Sequence, residues 1–475
     1  MKKQDFRRYA HETVDWMADY LEQVENMKVF SNPEPGSIKA VLDKNPPKTG
    51  ESYKAIIEDF QNIIVPNMTH WNHPRFFGYF PANTSPPSIL AEMLTAAMGA
   101  QCMSWLTSPA AAELEELVME WLREMTGIPA HMTGVIQDTA STSTLTALIC
   151  ARERATSGRF SRVGGSCLEG TRLIVYASTE AHSSVFKAAA LAGFGSENIR
   201  WIPVDQDYAM RADKLEEFLE EDIRQGFKPA AVVATIGTTG STGIDPLQEI
   251  ASIGQKHGIW VHVDAALGGT AAILEEKRHL FAGIQHADSF VFNPHKWMFT
   301  NFDCSAYFVR DVDALLRTMS TQPEYLQTAH DEKVNNYRDW GIPLGRRFRA
   351  LKLWFVIRSY GIQGLKEMVR NHLRLAADLA EKIRNTKNWE LLAPVALNLV
   401  CFRYKPDLPG LDEEALDRLN ETLLAEINRT GFCMLTHTRL AGRYALRMSI
   451  GQTYTEKRHV EETWKLIQDT AIKMA

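Results

Sequence analysis

Apolar residues recur at steps of three and four from the start of the chain. Phe6, Ala10, Val14, Met17, Leu21 and Val24 form one stripe and predict an amphipathic N-terminal helix. Prolines then interrupt the helical pattern in SNPEPGSIKAVLDKNPPKTG. An aromatic, proline-rich turn follows, THWNHPRFFGYFPANTSPPS, whose rings suit a domain joint or a pocket wall. Ser108-Pro109 cap and start another helix, with Leu114, Leu117, Val118, Trp121, Leu122 and Met125 along one face. Five short runs come next that are apolar at nearly every position: LIVYAS near residue 173, AAVVATIGT near 230, IWVHVDAA near 259, SFVFNPHK near 289 and CSAYFVRD near 304. Unbroken apolar runs mark strands buried on both faces. Helical patterns such as DKLEEFLEEDIRQG and PLQEIASIGQKHG separate several of them, which predicts a mostly parallel α/β sheet. Beyond residue 350 two long helical patterns precede LNLVCFRYK and YALRMSI, which reads as a smaller α+β domain.

Length and composition narrow this picture. At 475 residues the chain can form two or three domains. We divide it into a helical N-terminal segment, 1–83, a large α/β domain, 84–350, and a small α+β domain, 351–475. The formal net charge of -6, with no basic run, argues against a nucleic-acid surface. No apolar stretch is long enough to span a bilayer, and the N-terminus lacks the apolar core of a signal peptide. The six cysteines are scattered with no C-x-x-C pair, so a reducing cytoplasm is expected and a disulfide framework is not.

The chemistry emerges at the predicted strand ends. Signatures of P-loop ATPases, nicotinamide dehydrogenases, α/β-hydrolases and zinc proteases are absent, and no metal site is expected. Polar residues instead gather where strands finish, the edge at which open α/β sheets bind ligands. Asp264 ends one apolar run; Thr238 and Thr239 end another; His182 and Ser183 follow a third. Thr139, Ala140 and Ser141 stand where a helix begins, able to hold an anion on free N–H groups. Asn293, His295 and Lys296 follow the last. Singly, each has an ordinary reading: a solvated lysine, a capping carboxylate, a packed histidine. Together they ask for a ligand with an anion, a flat ring, a basic ring nitrogen and an electrophile. Pyridoxal 5'-phosphate has all four, and lysine captures its aldehyde as a Schiff base.

At this point VDAA and the later NPHKW, with THWNHPRFFGYFPA, SWLTSPAAAELE, GVIQDTAS, AHSSV, VATIGTT, PEYL and YRDWGIPLGRRFRALKLWFVIRSYG, resemble the group II pyridoxal-phosphate decarboxylases, and among them the aromatic-L-amino-acid decarboxylases. The resemblance covers essentially the whole chain. It implies the fold type I, aspartate aminotransferase-like architecture, with a mostly parallel seven-stranded sheet. It also implies a cytoplasmic homodimer formed through the N-terminal segment, with the site at the interface. It assigns Lys296 to cofactor attachment, Asp264 to the ring nitrogen, and Ala266 and His182 to the two ring faces. Thr139, Ala140, Ser141 and Asn293 would hold the phosphate, His295 would lie near cofactor and substrate, and Thr239 near the substrate carboxylate. Tyr325 matches the tyrosine that protonates the carbanion, and Arg338 and Arg346 match arginines that support it. Trp71, Tyr79, Phe80, Pro81 and Ala82, with Met103 from the partner subunit, match the aromatic pocket. Gly345 resembles the small residue of indole-accepting members, which favours tryptophan or 5-hydroxytryptophan and leaves tyrosine, phenylalanine and DOPA open. Ala82, Leu267 and DTASTST depart from the common threonine, tyrosine and GSASEA; no catalytic group is lost. The rival outcomes are an aromatic acetaldehyde synthase, a decarboxylase of non-aromatic amino acids, and an inactive binding protein of the same fold.

Overall fold

A computed structural model of the chain describes residues 1–321 and 333–474. It contains two compact units: Ala82–Ala377 with Ala393–Val400, and Met1–Pro81 with Asp378–Leu392 and Cys401–Ala475. The larger unit is built on seven strands: β1 (Thr133–Gln137), β2 (Leu173–Ser178), β3 (Ile199–Ile202), β4 (Lys228–Thr235), β5 (Trp260–Asp264), β6 (Ser289–Phe292) and β7 (Ser305–Val309). Their spatial order is β1-β7-β6-β5-β4-β2-β3. Pairs β2–β3, β2–β4, β4–β5 and β5–β6 are parallel, whereas β7 runs antiparallel to both β6 and β1. The two reversals cancel, so β1 points the same way as β2–β6. All strands but β7 therefore deliver their carboxyl ends to one edge.

The five apolar runs are β2, β4, β5, β6 and β7, and β2, β5, β6 and β7 have no exposed position. The two strands the runs do not announce are the sheet edges. Their sequences, TGVIQ and IRWI, are short and mix polar with apolar residues, because an edge strand lacks a neighbour on one side. Helices Ala140–Ala155 and Ser183–Leu191 cover one face. Their Ala147, Leu148, Val185 and Ala189 share a core with Val175, Val233, Trp260, Val291 and Tyr307. Burying each of the valine and leucine side chains among them contributes about 1.5–3 kcal/mol.

Helix Pro109–Thr126 forms where the Ser-Pro start predicts it, but turned on its axis. Its buried residues include Ala111, Glu115, Val118, Met119 and Leu122. Leu114 and Trp121 are only half-buried, and Leu117 is exposed. A carboxylate on the buried face is the reason, and its partner appears below. The two C-terminal helical patterns meet at Gly361, whose φ of 64° and ψ of 168° break the run Arg349–Arg384.

The smaller unit carries most of a four-stranded sheet of β8 (Trp389–Leu391), β9 (Leu399–Tyr404), β10 (Thr436–Leu440) and β11 (Arg443–Ser449), in order β10-β11-β9-β8. Helices Glu413–Arg429 and Lys457–Met474 belong to it. So does the amphipathic helix Lys3–Gln23, which buries no residue.

Candidate active site

The carboxyl edge of the large sheet collects the polar segments. Asp138–Ser141 follow β1, Ala181–Ser184 follow β2, Ile236–Thr239 follow β4, Asp264 ends β5, and Asn293–Lys296 follow β6. All belong to the larger unit. The chain leaves Asp264 through Ala265 and Ala266 into Gly268 and Gly269. A Cβ on Gly268 would stand 2.3 Å from the Ile236 carbonyl oxygen, and one on Gly269 2.4 Å from Phe292 Cβ. Only glycine permits so close a passage beside the neighbouring strands.

Asp264 is buried, and its Oδ1 accepts the Ala266 N–H at 3.0 Å, which fixes the carboxylate and presents the half-exposed Ala266. Lys296 sits in the short helix Pro294–Trp297. Desolvation pulls its pKa below the usual lysine range, and the Asp264 carboxylate opposes that pull. His182 caps helix Ser183–Leu191, its Nδ1 accepting the Ser184 N–H at 3.1 Å, which leaves the ring proton on Nε2. Its surface is exposed, yet it lies deep enough in the edge that desolvation lowers its pKa. Asp264 counters that effect and Lys296 adds to it. The amine, carboxylate and imidazole thus feel one another's charge.

The helix Ala140–Ala155 begins at the same edge. Thr139 Oγ1 accepts the Thr142 N–H at 3.4 Å, and Asp138 Oδ1 accepts the Thr139 N–H at 2.6 Å. The Ala140 and Ser141 N–H groups, and the exposed Ser141 hydroxyl, have no partner among the described residues. Two orphan donors at a helix N-terminus form an anion seat. Asn293 is held with its Oδ1 accepting from Ser305 Oγ at 2.7 Å and its N–H donating to the Ala266 carbonyl. After β4, Gly237 adopts φ +94°, and Thr238 Oγ1 accepts the Gly243 N–H at 2.8 Å, placing Thr239 at the edge. His295 is buried, its Nδ1 accepting the Cys304 N–H at 2.9 Å. Burial and the Lys296 charge push its pKa down to about 3, so the ring is neutral.

Other supports were not visible in the sequence. Asn83 donates from Nδ2 to the Lys296 carbonyl at 2.7 Å, and its N–H donates to the His295 carbonyl at 2.9 Å; a polar residue in a proline-rich turn gives no sign of this. Glu115 is the buried carboxylate of helix Pro109–Thr126. It takes both arms of Arg346, at 3.1 and 2.7 Å, and the Ile136 N–H at 2.9 Å. Arg346 thereby braces β1 just ahead of the anion seat. Arg338 is also buried, and its N–H donates to the Met103 carbonyl at 2.9 Å. A Cβ on Gly345 would stand 3.0 Å from Gln101 Nε2, while Gln101 Oε1 accepts the Arg346 N–H. Ala82 opens the larger unit, whereas Trp71, Tyr79, Phe80 and Pro81 belong to the smaller one. There Trp71 stacks on Tyr79 with centroids 5.6 Å apart, and the Arg447 guanidinium lies over Phe80 at 5.5 Å. Tyr325 lies outside the described residues.

These residues fit pyridoxal phosphate. The supports are buried, whereas the groups a ligand would touch, His182, Ser141, Ala266 and Lys296, remain open or half-open. The anion seat stands across the same edge as the buried carboxylate and the desolvated amine.

Comparison with known proteins agrees. Residues 35–405 match the family model described as the pyridoxal-dependent decarboxylase conserved domain. The chain is 40% identical to tryptophan decarboxylase 2 of Oryza sativa subsp. japonica, covering 100% of this chain and 96% of that protein. It is 41% identical to aromatic-L-amino-acid decarboxylase of Bos taurus, covering 99% and 97%. It is 40% identical to phenylacetaldehyde synthase of Arabidopsis thaliana, covering 99% and 96%. Among solved structures, Oryza sativa TDC with PLP and tryptamine superposes with a TM-score of 0.96 at 36% identity, over 100% of this chain and 99% of that one.

Proposed function

This chain belongs to the pyridoxal-dependent decarboxylases, and on that premise we propose how it acts. It is a carboxy-lyase that uses pyridoxal 5'-phosphate to convert aromatic L-amino acids into arylalkylamines and carbon dioxide. When bound, the cofactor supplies an aldehyde that captures the amine and a ring that accepts the electron pair carbon dioxide leaves behind. Ala140 and Ser141 hold the phosphate through their N–H groups, helped by the Thr139 and Ser141 side chains and by Asn293. Asp264 faces the ring nitrogen and keeps it protonated. Ala266 and the His182 imidazole enclose the ring. Lys296 is the attachment point, and its lowered pKa keeps more of the amine in the nucleophilic form. Thr239 orients the substrate carboxylate. His295, being neutral, donates from Nε2 and does not act as a charged acid. Tyr325 returns a proton to the substrate Cα; this role follows from the sequence resemblance.

The observation that carries the reading is the desolvated Lys296 amine standing at one sheet edge with Asp264 and His182, close enough that their charges act on one another. The sequence resemblance assigns contacts with the aromatic side chain to Ala82 and Gly345 of the larger unit, separately to Trp71, Tyr79, Phe80 and Pro81 of the smaller one, and to Met103 of a second copy. A homodimer through the N-terminal segment is supported by helix Lys3–Gln23, which buries no residue and exposes Phe6 and Val14, and we place the enzyme in the cytoplasm. A phenylacetaldehyde synthase is as similar as the decarboxylases, but retention of Tyr325 and His182 favours amine as the product. The test is a competition assay: the holoenzyme receives tryptophan, 5-hydroxytryptophan, phenylalanine, tyrosine and DOPA together, and products are separated. Amines without peroxide are expected. Aldehyde, ammonia and peroxide as the main products would favour the synthase, and consumption of none of the five would overturn the reading.

A further inference from the structure

His262 takes no part in the site described above, yet it is a fully buried polar residue two positions before Asp264 on β5. Residues two apart on a strand share a face, so Trp260, His262 and Asp264 all point toward helix Ala140–Ala155, against which Trp260 packs. Both ring nitrogens of His262 are engaged. Nε2 lies 3.2 Å from Thr144 Oγ1, and Nδ1 lies 2.9 Å from Ser289 Oγ. Thr144 is one helical turn beyond Ala140, the start of the anion seat. Ser289 opens β6, the strand that leads to Asn293 and Lys296, and it also accepts the Trp260 Nε1–H at 2.8 Å. Burial pushes the His262 pKa down to about 4, so the ring is neutral and supplies one donor and one acceptor. An apolar residue would fill this space without the cost of desolvating an imidazole. What the imidazole adds is direction: two hydrogen bonds to two different elements.

We propose that His262 is a positioning residue for the cofactor. It ties the strand ending in Asp264 to the helix beginning at Ala140 and to the strand leading to Lys296. It thereby sets where the ring-nitrogen carboxylate and the amine stand relative to the phosphate seat. The inference rests on the cofactor site proposed above.

The test measures pyridoxal phosphate affinity by absorbance titration of the apo-protein, for the unsubstituted chain and for His262→Phe, Thr144→Val and Ser289→Ala. The thermal midpoint of each apo-protein is recorded beside it. Failure of the unsubstituted chain to bind the cofactor would sink the site reading itself. If it binds, His262→Phe and Thr144→Val are each expected to raise the cofactor Kd about tenfold, with a smaller rise for Ser289→Ala. The pH titration of the cofactor band should shift with them. Thr144→Val replaces one hydroxyl by a methyl, and it decides the matter if His262→Phe does not fold. A Kd within about twofold of the unsubstituted protein in the folded variants would overturn the proposal. That holds even if their thermal midpoints fall, since the ring would then serve packing alone.

Discussion

Lys296 would be an odd choice for a strand-end cation were it not for its surroundings. Desolvation favours the neutral amine, and Asp264 restores part of the charge. Removing that carboxylate therefore has a definite sign. In Asp264→Asn the midpoint for cofactor loading of the apo-protein, followed against pH, should move further down; an upward move would mean Asp264 does not face the amine. Tyr325→Phe tests the proton return. Peroxide and aldehyde should rise at the expense of amine, measured by product chromatography, whereas unchanged amine yield would remove Tyr325 from the mechanism. At this scale the gathering of Lys296, Asp264, His182 and the Thr139–Ser141 turn at one sheet edge was legible, because the chemistry of one ligand asks for them together. His262 and Asn83 were not, since a histidine inside an apolar strand and an asparagine in a turn look the same whether they bond to the site or only pack.

The elements were legible where burial is two-sided. Unbroken apolar runs gave the inner strands, whereas edge strands β1 and β3 carry too many polar residues to stand out. Helix Pro109–Thr126 buries Val118, Leu122 and Met125 of its apolar face, but also a residue that face does not contain. Glu115 is that residue, and the buried Arg346 is what holds its carboxylate in the core. Neither partner reveals the other across so much sequence. The pair also holds the Ile136 N–H, so its loss strands a guanidinium and a backbone donor together. Glu115→Ala should lower unfolding free energy by about 3–5 kcal/mol, measured by denaturant titration of the apo-protein. A change below about 1 kcal/mol, the scale of an exposed pair, would show that water reaches the pair.

For the molecule as a whole, buried imidazoles dominate the acid limb of stability. His73 and His262 are pushed down to about 4 and His295 to about 3, mainly by burial. The unfolded chain takes up these protons near pH 6.5 while the folded one refuses them, so stability is intact above that pH and falls as pH drops toward 4. Asp245 works the other way: burial raises its pKa to about 7, so it gains stability as pH falls. Together the three imidazoles outweigh Asp245 and leave a net loss, on the order of 3 kcal/mol for each imidazole at full protonation. Thermal midpoints should therefore fall from pH 7 to pH 4.5; a flat or rising profile would mean the rings are not buried neutral. No helix among the described residues is long and apolar enough to cross a membrane. If the fold holds a cofactor on Lys296, chemical reduction will trap it there. The protein is loaded with pyridoxal phosphate, reduced with borohydride, digested, and its peptides weighed. The reduced cofactor is predicted on the peptide carrying Lys296. Its absence there, or its appearance instead on Lys352, the buried lysine whose pKa desolvation lowers to about 8, would rule out Lys296 as the anchor.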